Sequence, residues 1–123
     1  EPRVRRFLAA PLEGFTPQCS YDLLWLNWVL MYIPDAEIVG FLQRCRLRLP
    51  AGGVIAVKEN VENRPGGEEG LDDEELCATR TAAHFERLFA RAGLAVLRKR
   101  RQRDWPTGGG CFPLMMWALV PAS

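Results

Sequence analysis

Tyr21-Asp22-Leu23-Leu24-Trp25-Leu26-Asn27-Trp28 is the stretch on which the rest of the chain turns. It is an apolar run of strand length that stops at an amide beside an indole, the pattern of a strand buried on both faces and ending in a crevice. Open α/β sheets bind ligands at such ends. Downstream, residues 29–33 stay apolar up to Pro34, and Asp35 stands where an N-cap would start a helix over residues 36–48. Ile38, Phe41, Leu42 and Cys45 recur at i, i+3, i+4 and i+7, giving one apolar face to lie on a sheet. Leu49-Pro50-Ala51-Gly52-Gly53 stops that helix, and a second apolar run ends in Lys58-Glu59-Asn60. Strand, helix, strand through a tight glycine turn is a right-handed crossover, so the two strands run parallel and their polar ends share an edge. Asn27, Trp28, Glu59 and Asn60 are therefore expected to face one crevice.

Working outward, residues 4–10 read as a short strand, broken by Pro11 before a loop that reaches Pro17. Residues 61–70, rich in Glu, Asn, Pro and Gly, read as a loop rimming the site. A helix is expected over residues 73–92, with acids in its first turn, basic residues toward its end and Gly93 as the stop. Its apolar side is assigned to Leu76, Ala83, Phe85, Leu88 and Phe89, and His84 to a surface or packing position away from the crevice. Residues 94–97 begin a strand that runs out through Arg98-Lys99-Arg100-Arg101, and residues 112–120 form the last one. So short a connection makes those two an antiparallel hairpin. The order is strand, strand, helix, strand, helix, strand, strand: an α/β chain without internal repeats.

The 123 residues, 48% hydrophobic and 25% charged, have the size and composition of one globular domain. Sixteen basic residues against fifteen acidic ones leave a net charge of +1, which supplies no field to draw nucleic acid or membrane. The basic run at residues 98–103 splits between two faces if extended, and reads as a solvated sheet edge. Cys19, Cys45, Cys77 and Cys111 are scattered, without a C-x-x-C pair and with a single histidine. That argues against a zinc site or a disulfide framework and for reduced thiols in the cytoplasm or nucleus. No run approaches the roughly 20 apolar residues that span a bilayer, and no signal-peptide core follows the basic start. The first residue is Glu1 rather than Met, which suggests part of a longer polypeptide.

The ending, in which an antiparallel hairpin follows parallel strands, is similar to the second half of the seven-stranded Rossmann-like fold of class I S-adenosylmethionine-dependent methyltransferases. The local sequences sharpen the likeness. YDLLWLNWVLMYIPD (residues 21–35), FLQRCRLRLPAGGVIAVKEN (41–60) and LDDEELCATRT (71–81) closely resemble the N-terminal Xaa-Pro-Lys protein methyltransferases. The resemblance implies S-adenosylmethionine as cofactor and methyl transfer to the α-amino group of protein N-termini with Pro second and Lys or Arg third. It implies no metal. It further implies that residues 1–123 are a partial methyltransferase domain lacking the N-terminal cofactor-binding half. None of Gly52-Gly53, Gly66-Gly67 and Gly108-Gly109-Gly110 follows a strand and opens a helix, as the cofactor loop would. With two family strands missing, an apolar central edge would lie unpaired, and poor solubility or rearranged packing is expected.

Carried over residue by residue, the resemblance makes Asn60 the substrate-amine asparagine and Trp28 the ring that packs on the second-position proline. Asp72 and Glu75 match the acids that bound the amine and the basic third residue, with Glu75 one methylene longer than the family's usual Asp. Tyr32 stands where His is more common, and Phe112 where Tyr is. Leu12 and Glu13 match the loop beside the adenine, and Asn27 a Gln at the end of the central strand. Without the resemblance, Asn60 reads as a strand-terminal turn residue, Trp28 as core, and Asp72 and Glu75 as a solvated acidic helix start. Two other functions stay open: a catalytically inactive fragment or pseudoenzyme that keeps a peptide groove, and a methyltransferase of the same fold acting on a small molecule.

Overall fold

Alternating burial along Val54–Asn60 (β2) sets Ile55, Val57 and Glu59 on one face and Val54, Ala56, Lys58 and Asn60 on the other. Leu23–Asn27 (β1) pairs with it in parallel, Leu23 opposite Val54 and Asn27 opposite Lys58. The crossover between them is α1, Asp35–Arg46. Leu114–Pro121 (β4) runs antiparallel along the other side of β2, and Leu94–Arg101 (β3) completes the hairpin outside it. The resulting order is β1-β2-β4-β3. The computed structural model describes residues 3, 4, 6–62, 79–103 and 113–123.

One face of the sheet is covered. There α1 lays down Ile38, Phe41, Leu42 and Cys45, and α2, Ala82–Arg91, lays down Phe85, Leu88 and Phe89, against Leu26, Ile55, Val57, Trp117 and Leu119. The Trp117 ring lies 5.4 Å from that of Phe85 and 5.2 Å from that of Phe89, both off-parallel, as aromatic quadrupoles prefer. Its indole N–H donates to Glu86, which also pairs with Lys99, so this large side chain is buried without an unmet donor. The other face is open. Leu23 and Trp25 are 57% and 54% exposed, and Trp25, Ala56, Met116 and Ala118 line a shallow recess of about 260 Å³ beside Arg98 and Arg100. The expected burial of the first strand on both faces is therefore corrected. Among the described residues, helices cover one side of the sheet, and every second side chain of β1 looks the other way.

Three further expectations change. The described residues within 4–10 are exposed and form no strand, having no partner strand among the described residues. Asp35 is the first residue of α1 rather than its cap, the cap being Pro34 without a side-chain hydrogen bond, and the helix ends at Arg46 rather than at residue 48. The second helix is not continuous over the expected span: residues 79–81 are not helical, the described helix starts at Ala82, and residues 73–78 lie outside the described residues. Thr81 is its N-cap, accepting from the His84 N–H at 3.1 Å, while Arg80 just before it is in an extended bridge with Val61. Gly93 ends it at φ +81°, where a Cβ would also lie 3.1 Å from the Arg46 Nε. The hairpin is found as expected, with a register shift between Val96 and Arg98.

The two faces predict opposite mutational behaviour in urea unfolding. Phe89→Ala should cost about 3–5 kcal/mol. Leu23→Lys with Trp25→Lys should change stability by less than about 0.5 kcal/mol each while lowering binding of an apolar dye. A large loss of stability from the lysine pair would mean that the open face is packed in solution.

Candidate functional site

The parallel register brings the C-terminal ends of β1 and β2 to one edge, and the Trp28 N–H continues the pairing by donating to the Lys58 carbonyl at 3.0 Å. Trp28 has φ +55°, in the left-handed region, which costs a bulky L-residue about 1–2 kcal/mol. Val29 returns to right-handed helical angles, φ −116° and ψ −28°. A left-handed residue followed by a right-handed one turns successive N–H groups to one side and makes a small anion-binding concavity. Its occupant here is the Glu59 carboxyl group: Oε2 accepts from the Val29 N–H at 2.9 Å and the Leu30 N–H at 2.8 Å.

The expected convergence of Asn27, Trp28, Glu59 and Asn60 in one crevice is corrected by the pleat. Glu59 points into the covered face and is fully buried, while Lys58 and Asn60 leave β2 on the opposite face. The Lys58 ammonium lies over the Trp28 ring, 5.4 Å from its centroid. Lys58 and half-buried Asn60 thus share the open side of β2 at its end, and the Trp28 ring meets the Lys58 ammonium there. Tyr32, in the 3₁₀ turn Leu30–Tyr32, is 58% exposed. Asn27 is exposed at the end of β1. Asp72, Glu75 and Phe112 lie outside the described residues.

Behind the turn at residues 28–33 lies a buried polar network. The Arg80 guanidinium donates to Asp35 Oδ1 at 2.8 Å, to the Ile33 carbonyl at 2.8 Å and to the Leu30 carbonyl at 3.3 Å. Asp35 Oδ2 is 2.6 Å from the His84 Nε2. Each charge thus meets an opposite charge or an oriented carbonyl, which is what makes its burial tolerable. Glu59 is less well served. Burial raises its pKa from 4.5 to about 7, against the pull of the Leu30 and Val29 N–H groups and the Arg80 charge. Its Oε1 has no hydrogen-bond partner among the described residues.

His84 is therefore corrected from a surface or packing position to a buried partner of Asp35. A signal for it was present: counted from Thr81, the face at i, i+3, i+4, i+7 and i+8 holds His84 with Phe85, Leu88 and Phe89, whereas Ala83, assigned to that face, is exposed. Arg80 gave no such signal, because its partners lie 45 to 50 residues back and two of them are backbone carbonyls.

Leu12 and Glu13 lie in the 3₁₀ turn Leu12–Gly14, which Arg44 ties to α1 through the Glu13 carbonyl at 2.7 Å and the Phe15 carbonyl at 3.0 Å. Leu12 is half-buried and Glu13 exposed. Cys45 is buried and its thiol is pushed up to about 12, so it packs rather than reacts. Among the described residues no cluster of His, Cys, Asp and Glu is arranged to hold a metal ion, and no helix is long and apolar enough to cross a membrane.

Residues 1–120 match the family described as AdoMet dependent proline di-methyltransferase. The chain is 35% identical over 121 residues to alpha N-terminal protein methyltransferase 1 of Drosophila melanogaster, covering 98% of this chain and 42% of that protein. It is 35% identical over 107 residues to human N-terminal Xaa-Pro-Lys N-methyltransferase 1, covering 85% and 46%. Among solved structures, a SAM-dependent methyltransferase from Leishmania major superposes with a TM-score of 0.73 at 35% identity, over 89% of this chain and 43% of that one. The expected partial Rossmann-like α/β fold is thus found, and the chain spans less than half the length of each of these relatives. Leu12 and Glu13, on a turn whose backbone Arg44 tethers, and Asn27 at the end of β1 present an apolar side chain, an exposed carboxylate and an exposed amide.

The Glu59 shift fixes the sign of a pH effect. Its folded pKa is above the unfolded value, so between about pH 4.5 and 7 the folded chain holds a proton that the unfolded chain has lost. Stability from this group is complete below that window and is lost as pH rises through it, by on the order of 3 kcal/mol. Urea unfolding of wild type and Glu59→Gln across pH 5–8 should show the slope in the first and not the second; equal slopes would remove Glu59 as the titrating group.

Proposed function

This chain belongs to the AdoMet dependent proline di-methyltransferase family, and from that premise we propose that it is the C-terminal, substrate-facing part of an enzyme that methylates the α-amino group of Xaa-Pro-Lys protein N-termini. The observation that carries the reading is the grouping of Trp28, Lys58 and Asn60 on one side of the parallel strand ends. A flat indole at a fixed turn suits a proline ring, and an amide at the next strand end suits an amine one residue away.

The chemistry demands a neutral nucleophile. An α-amino group with pKa near 8 is only about one-tenth neutral at pH 7, so a site gains by favouring the free amine and aiming its lone pair. The Asn60 amide oxygen accepts one N–H of the amine and sets its orientation. Lys58, two residues back on the same face, adds a positive charge that disfavours a second cation and so favours loss of the ammonium proton. Asp72 and Glu75, by resemblance, take up that proton and meet the basic third residue of the substrate. By the same resemblance, Tyr32 and Phe112 belong to the peptide-binding residues. S-adenosylmethionine supplies an electrophilic methyl group on a sulfonium, and Leu12, Glu13 and Asn27 are the residues of this chain that would touch it. Residence in the cytoplasm or nucleus belongs to the same proposal and rests on the scattered cysteines.

A second reading, a peptide-binding module without catalysis, draws on the coverage of 42% to 46% of the curated relatives. Mass spectrometry of a Ser-Pro-Lys peptide after incubation with S-adenosylmethionine and the full protein that carries these residues separates the two. Methylated peptide supports the enzyme, and bound but unmodified peptide the module. In the active protein, Asn60→Ala should lower kcat about 100-fold with little change in cofactor affinity, and unchanged turnover would refute its role. Asp72→Asn should reduce the preference for Lys over Gln at the third position about tenfold, and an unaltered preference would remove that role.

A further inference from the structure

We infer that Glu59 is a positioning residue for the substrate wall: its carboxylate, seated in the backbone concavity of Val29 and Leu30, holds the left-handed turn that aims the Trp28 indole over the face where Asn60 opens. This deepens the reading of Trp28 and Asn60 given above and rests on it. The two residues at the end of β2 divide between the two faces of one strand. Asn60 turns outward to the open side, and Glu59 turns inward to grip the turn that carries the indole.

The geometry leaves Glu59 no catalytic role. It is fully buried and faces away from Asn60, so no incoming amine reaches it. It acts through main chain. Trp28 is the one described non-glycine residue with positive φ, and three hydrogen bonds offset that conformation: its own N–H to Lys58 and the next two N–H groups to a single Glu59 oxygen. Arg80 closes the far side of the turn through the Leu30 and Ile33 carbonyls, with Asp35 and His84 bound behind it. Glu59 therefore fixes the N–H side of the turn and Arg80 the C=O side.

Reach, more than charge, is what this contact needs. One carbonyl-type oxygen with two lone pairs can accept both N–H groups whether the side chain is an ionised acid, a neutral acid or an amide. The elevated pKa agrees with that, since the site favours the neutral acid over the carboxylate until about pH 7. A side chain one methylene shorter is expected to fall short of at least one of the two donors.

The test uses the full protein carrying these residues, a Ser-Pro-Lys peptide as substrate, and S-adenosylhomocysteine as the probe of cofactor binding. Glu59→Asp should raise the peptide KM at least tenfold, leave S-adenosylhomocysteine affinity within twofold, and speed amide hydrogen exchange at Val29 and Leu30 at least tenfold. Glu59→Gln should stay within threefold of wild type in all three. Wild-type exchange or wild-type KM in the Asp variant overturns the inference, as does a Gln variant as impaired as Asp. Trp28→Ala is the control for the underlying reading. If it leaves KM unmoved while Glu59→Asp still speeds exchange, the methylation site has been misassigned, and the substrate half of the inference falls with it.

Discussion

A single buried guanidinium sets the relation between four segments of the chain. Arg80 reaches Asp35 at the start of α1 and two carbonyls of the turn after β1, while its own backbone bridges Val61 at the exit of β2 and leads directly into α2. An arginine buried without such partners would be strongly destabilising, and removing one partner from a buried pair typically costs about 3–5 kcal/mol. That asymmetry makes the network a constraint as well as a contact. The chain satisfies it by bringing the strand ends, the turn and both helix starts to one place, which is the end of the sheet where the candidate site lies.

The pleat of β2 then separates structure from chemistry. Successive residues Lys58, Glu59 and Asn60 alternate between the open side and the packed side, so adjacent positions in the sequence serve unrelated tasks. Lys58 meets the Trp28 ring and Asn60 shares its face of the strand, whereas Glu59 belongs with Arg80 and the turn amides. Strain at Trp28 is the link between the two sides. A bulky residue is held at positive φ because hydrogen bonds on the buried side over-determine it, and the indole is displayed on the other.

Much of this was legible in the residues themselves. The apolar runs at residues 21–28 and 53–57, the glycine turn and the i, i+3, i+4, i+7 face of α1 were enough to give two parallel strands with their ends on one edge. Hairpin order followed from the shortness of the last connection. What escaped was of one kind, long-range pairing of polar groups. Asp35 read as a cap because its local context is that of a helix start, and its true partners, Arg80 and His84, lie 45 and 49 residues on. The N-cap of α2 is hidden for a related reason: Thr81 is flanked by Arg80 and two alanines, a context compatible with a helix already under way, and the bridge of Arg80 to Val61 that breaks it is long-range. Glu59 was grouped with Asn60 by proximity in sequence, where period-two alternation should have set them apart.

The two rims of the sheet differ in kind. β3 carries Arg98, Lys99, Arg100 and Arg101 beside a register shift, features that repel or misalign an arriving strand. β1 is short and uncharged, and among the described residues its outer backbone edge is unpaired. The sheet therefore has a blunted rim and a receptive one, so its capacity for enlargement is vectorial: among the described residues the edge that favours an added strand is that of β1, on the flank nearest Trp28, and the arginine rim disfavours one.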